Sequence, residues 1–194
     1  ISFSQTAVRI TTINTNLFIA GYDSSISNLS MYGYGTNDSG TNINTPNDST
    51  ASGILYQGTT TFTNIGYIRS VQFVNFRFPL NVQTASSKYN ILQCQDLRFI
   101  GYVNTEICVN VIANGVTAIS VDGARYSPTL FAVSGNLYPG VFTHFCKIVA
   151  DSNTQVNSNL FNNVNLRFGG TSTNVAGGPP LYAGIGFEMQ QGDL

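Results

Sequence analysis

Residues 91–120, ILQCQDLRFIGYVNTEICVNVIANGVTAIS, constrain the fold more than any other stretch, because they hold three consecutive strand-like runs and the strongest turn signal in the chain. Ile107, Val109 and Val111 alternate with Cys108 and Asn110, a period of two that places one set on each face of a sheet. Asn114-Gly115, between Val111-Ile112 and Val116-Thr117, has the two residue types that most readily accept positive φ, as a type I′ hairpin requires. The stretch therefore predicts an antiparallel β-meander at the centre of the fold, and it carries no catalytic pattern.

The rest of the chain extends this reading. β-Branched and aromatic runs at 7–20, 26–34, 59–65, 68–80, 129–133, 141–150, 160–168 and 181–190 predict strands, separated by polar, Gly- and Pro-containing connections. In the run 68–80 the apolar set changes side, with Val71 and Phe73 on one face and Val74, Phe76 and Phe78 on the other, which predicts a bulge or a strand buried on both faces. Val74-Asn75-Phe76-Arg77-Phe78 is echoed by Val164-Asn165-Leu166-Arg167-Phe168, and in part by Asp96-Leu97-Arg98-Phe99, which reads as strands that each place one Arg on a wet face. No segment has a helical period. The expectation is one all-β domain over residues 1–194, an antiparallel β-sandwich of jelly-roll type with about eight to ten strands.

Composition narrows the function classes. Of the 194 residues, 42% are hydrophobic and 12% aromatic, enough apolar surface for a full core. Only 9% are charged, against roughly a quarter in ordinary soluble domains, and the net charge is −1 with the basic residues scattered singly. Neutralising nucleic-acid phosphates takes several clustered Lys or Arg, so nucleic acid is not an expected partner. No apolar run reaches the roughly 18 to 20 residues needed to span a bilayer. The chain begins with Ile, which points to removal of an N-terminal part or to excision from something larger.

No catalytic constellation emerges. His144 is the sole histidine, so a Ser-His-Asp relay or a His ligand pair has one candidate or none. Cys94, Cys108 and Cys146 lack CxxC spacing and read as buried thiols, and a zinc site drawing on His144 and Cys146 lacks the short ligand spacings such sites use. Asp96 and Glu106 form the one imaginable glycosidase-like pair, for which Arg98 is an ordinary salt-bridge alternative. No cofactor or metal is expected.

Recognition is placed on the loops. Tyr22, Tyr32 and Tyr34 offer flat faces with hydroxyl tips on which a sugar can stack. Beside them the small, polar stretch 35–53 carries Asn37, Asp38, Asn47 and Asp48, the remaining candidate ligand-binding residues. Asn28, Asn37 and Asn47 each begin an Asn-x-Ser sequon, and the acidic residues lack the spacing of an EF-hand loop.

In outline the chain resembles viral single jelly-roll capsid and spike proteins: similar length, nearly all β, Asn/Thr/Gly-rich loops and few charges. It departs from small-RNA-virus capsid proteins in having no basic N-terminal arm. The resemblance implies a non-enzymatic penton, minor capsid, spike or fibre-head protein at a virion surface or in an extracellular setting. Such a protein assembles as a trimer or pentamer and contacts other capsid or spike subunits. The alternative is a carbohydrate- or receptor-binding β-sandwich of lectin-like or C1q/TNF-like type, engaging a host glycan or receptor.

Overall fold

The computed structural model describes residues 6–9, 15–21, 23–33, 52–57, 64–84, 90–101, 107–114, 117–128, 130–133, 136–139, 144–150, 160–166 and 185–191. In chain order the strands are β1 (Thr6–Arg9), β2 (Phe18–Ala20), β3 (Ser24–Tyr32), β4 (Ser52–Gln57), β5 (Asn64–Val74), β6 (Phe78–Gln83) and β7 (Asn90–Gly101). There follow β8 (Ile107–Ala113), β9 (Thr117–Pro128), β10 (Leu130–Val133), β11 (Asn136–Pro139), β12 (His144–Ala150), β13 (Leu160–Leu166) and β14 (Ile185–Gln191).

Two six-stranded sheets result, ordered β1-β3-β5-β7-β9-β13 and β14-β12-β8-β6-β4-β2, and every pairing within them is parallel. Apart from the β10–β11 hairpin, successive strands alternate between the sheets. The chain thus winds as a stack of coils, each laying one strand on either sheet. This overturns the antiparallel jelly roll. Consecutive strands with short connections would pair as antiparallel neighbours if they shared a sheet, but here each connection carries the chain to the opposite sheet. A parallel pair needs a crossover of a dozen or more residues, usually a helix, and here the strand of the opposite sheet serves as that crossover.

The Asn114 turn shows the difference locally. β8 and β9 do not pair; β9 lies beside β7, with Leu92 opposite Ile119, while β8 lies beside β6 and β12. Asn114 turns the chain from one sheet to the other and is held by the preceding coil. Its N–H donates to Thr84 Oγ1 at 2.7 Å, Thr84 Oγ1 donates to its carbonyl at 2.8 Å, and its side-chain amide donates to the Thr84 carbonyl at 3.2 Å. The run 68–80 is likewise two strands around a corner. Asn75, at φ 59°, ends β5, and its N–H donates to the Ile100 carbonyl of the next coil. Coils approach closely there: Gly33 N–H donates to the Val74 carbonyl at 2.8 Å, and a Cβ on Gly33 would overlap the Asn75 carbonyl. Residues 81–83, expected in a polar connection, complete β6, and β4 fills a segment for which no strand was expected.

The core lies between the sheets. Met31, Phe73, Phe99 and Tyr126 stand in register on successive coils, as do Ile54, Leu80, Val109 and Cys146 on the opposite sheet, all essentially buried. Phe73 and Phe99 stack at 5.3 Å, and Phe145 meets Phe99 edge-on from the other sheet at 5.7 Å. The three thiols are free and buried among these residues.

One backbone feature recurs coil after coil. Asn28, Ser70, Asp96, Gly123 and Asn163 all have positive φ, between 52° and 77°, and the strand register passes over each of them. They form a column of left-handed residues that bends β3, β5, β7, β9 and β13 at the same level and shifts the side-chain alternation by one. Ile68 and Val71 thereby both point inward although three residues apart. Asn, Ser, Asp and Gly suit the position, whereas a β-branched side chain crowds it. Accordingly Asn28→Gly should unfold within about 0.5 kcal/mol of the parent or later, while Asn28→Val should lose about 1–2 kcal/mol in denaturant titration.

Candidate functional site

The bend organises the outer face of the first sheet. On its amino-terminal side, Ser25, Tyr67, Gln93 and Ser120 stand in register on β3, β5, β7 and β9, and Ser27, Arg69, Gln95 and Asp122 form the next column. Past the left-handed residues comes a third outward column, Gln72, Arg98, Arg125 and Asn165, carried by β5, β7, β9 and β13. In a parallel sheet equivalent side chains repeat at about the strand spacing, 4.8 Å, so these columns run along the coil axis as continuous polar tracks.

Two grooves lie along the tracks. The larger, about 530 Å³, is lined among others by Tyr67, Arg69, Gln93, Gln95 and Asp122. The second, about 200 Å³, is lined by Asp96, Arg98, Gly123, Arg125, Asn163 and Asn165, with Leu97 and Ala124 between them. Tyr67 is 48% exposed, so a large part of its ring is open to a ligand. The carboxylates are engaged by neutral donors: Ser70 Oγ donates to Asp96 at 3.1 Å, and the side-chain amides of Asn163 and Asn162 donate to Asp122 at 2.9 and 3.3 Å. Arg98 reaches Gln72 Oε1 at 3.5 Å. The face thus presents amide, hydroxyl, carboxylate and guanidinium groups along a line, with one open aromatic.

The residues expected to bind ligand are placed differently. Tyr32 lies on β3, half-buried, with the Arg9 guanidinium 5.6 Å from its ring centroid, so one face of the ring is occupied. Tyr22, Tyr34, Asn37, Asp38, Asn47 and Asp48 lie outside the described residues, as does Glu106. Asp96 sits on the outer face in the bend. His144 contacts Glu188 through Nε2, and Lys147 Nζ lies 3.6 Å from the same carboxylate. Among the described residues no three His, Cys, Asp or Glu side chains converge as a metal site would require. Burial pushes the Cys94 and Cys146 thiols up to about 12 and raises Cys108 in the same sense, so none is a ready nucleophile or ligand.

A signal for this face exists in the sequence. Asn28-Leu29-Ser30-Met31, Ser70-Val71-Gln72-Phe73, Asp96-Leu97-Arg98-Phe99, Gly123-Ala124-Arg125-Tyr126 and Asn163-Val164-Asn165-Leu166 repeat one pattern: a turn-tolerant residue, then apolar, polar, apolar. The echo between 74–78 and 164–168 is out of register with it, since Val164 lies level with Val71 through Ala124 and Leu97.

Among the described residues no helix is long and apolar enough to cross a membrane. Comparison with protein-family models, with curated proteins and with solved structures finds no match to this chain.

Proposed function

We propose that this chain is a non-enzymatic binding and assembly module whose first-sheet outer face engages an extended, polyhydroxylated chain, a glycan, laid along the coil axis. The observation that carries this reading is the register of the three outward columns, which repeats hydrogen-bonding side chains at each coil beside the exposed ring of Tyr67. A polymer of repeating sugars is matched by a surface of repeating donors and acceptors, and a tyrosine face supplies the apolar platform that sugar rings use. The setting we propose is a spike or fibre of a virus particle, or another extracellular surface, with host glycan as ligand. Low charge and the Asn/Thr/Ser-rich composition support that setting. Assembly as a homo-oligomer, a trimer or pentamer in contact with other spike subunits, is supported by apolar side chains exposed on end strands, Ile19 on β2 and Leu160 and Phe187 on β13 and β14.

Affinity electrophoresis through gels containing dextran, xylan or hydroxyethylcellulose, and through gels containing acidic polysaccharides, tests the binding. Retardation by at least one polymer is expected, and Tyr67→Ala should weaken it roughly tenfold, equivalent to about 1.4 kcal/mol. Retardation by none of them overturns the reading. Light scattering after size-exclusion chromatography tests assembly, and a monomer at all concentrations removes that part.

A further inference from the structure

Building on the glycan-binding reading, we infer that the preferred ligand is an acidic polysaccharide whose oxyanion groups are held by Arg98 and Arg125. The two arginines are direct partners in the β7–β9 register, on the outer face, and both line the smaller groove. Like charges placed directly opposite on neighbouring strands repel, an arrangement that folding alone gives no reason to keep. Their neighbours in the column, Gln72 and Asn165, are neutral.

The nearby carboxylates, of which Asp96 lines the same groove, offset this repulsion only in part. Asp96 accepts from Ser70, and Asp122 accepts from Asn162 and Asn163; among the described residues neither pairs with a guanidinium. Arg98 makes only the long contact to Gln72, and Arg125 makes no ion pair among the described residues. Between Asp96 and Asn163 the bend column has Gly123, whose missing side chain leaves the groove floor as bare backbone. Two arginines on neighbouring strands, lining one groove together with Asn163 and Asn165, form a site for a planar or tetrahedral oxyanion bound by guanidinium N–H donors. Carboxylate and sulfate share that chemistry.

The test compares retardation of the parent protein, an Arg98→Gln/Arg125→Gln variant and an Asn165→Asp variant in three kinds of gel: polyuronate, dextran sulfate and dextran. Binding to one or both acidic polymers should exceed binding to dextran by at least tenfold at low salt. The double variant should lose at least thirtyfold on the acidic polymer but no more than about threefold on dextran, and Asn165→Asp should weaken the acidic polymer more than it weakens dextran. The acidic polymer retained identifies the oxyanion as carboxylate or sulfate. Equal retention of neutral and acidic polymers, or acidic binding unmoved by the double variant, overturns the inference while the glycan-binding reading stands. No retention on any polymer overturns both.

Discussion

Raising the pH from 8 to above 10 should unfold this protein at progressively lower denaturant concentration, with its buried thiols as the main cause. Cys94 and Cys146 are pushed by burial from 9.0 to about 12; Cys108 rises for the same reason and through the neighbouring Cys146. Tyr56 moves from 10.0 to about 12, by burial first and the Asp23 charge second. In the unfolded chain these thiols ionise near 9, while the folded state keeps them protonated. Above pH 9 the unfolded state therefore binds fewer protons, and stability falls as pH rises. The stabilisation is complete below pH 9 and is lost as the pH climbs toward 12. Each thiol that ionises only on unfolding contributes a slope of about 1.4 kcal/mol per pH unit. Since domains of this kind are stable by roughly 5–15 kcal/mol, three such thiols are enough to dominate the alkaline limb. Urea midpoints at pH 7, 9, 10 and 10.5, followed by far-UV circular dichroism, measure it. Replacing all three cysteines by Ala should flatten the limb, and a parent profile that stays level to pH 10.5 sinks the prediction.

Phe99→Ala is expected to cost about 3–5 kcal/mol, the usual range for removing a fully buried ring. Phe99 is 0% exposed; it stacks on Phe73 of the preceding coil and takes the edge of Phe145 from the facing sheet. In a stack of coils each one rests chiefly on its neighbours, so a void at Phe99 weakens the contact between coils as well as the coil itself. Phe99→Leu, which keeps most of the volume, should cost less than half as much. Equilibrium denaturation of both variants measures the difference, and a loss below about 1 kcal/mol for Phe99→Ala contradicts this account of the core.

Period-two patterning in 107–113 correctly marks Val109 and Val111 as core, yet Cys108, on the nominally opposite face, is equally buried. The β8–β12 register passes over Cys108 and Phe145, so the alternation shifts there and both side chains join the core between the sheets. The side switch after Phe73 was visible too, but it signals a corner at Asn75 and a change of sheet. The binding face was the least legible. Composition points to the tyrosines beside the polar stretch 35–53, while Tyr67, Arg98 and Arg125 sit in strands and share one face only because separate coils are in register. Their shared pattern was masked by unequal coil lengths: the step from Leu29 to Val71 is longer than those from Val71 to Leu97 and Leu97 to Ala124, and the step to Val164 lengthens again.

By itself the sequence determined an all-β chain and much of its apolar core, such as Val109 and Val111. Both depend on the residue's own chemistry and its immediate neighbours. The tertiary structure alone decided the direction of pairing and the partner of each strand. Backbone hydrogen bonds are the same for every residue, and alternation says which face is buried without saying what lies beside it. It was the winding of the chain between two sheets that made the strands parallel, and the same winding brought Arg98 and Arg125 side by side.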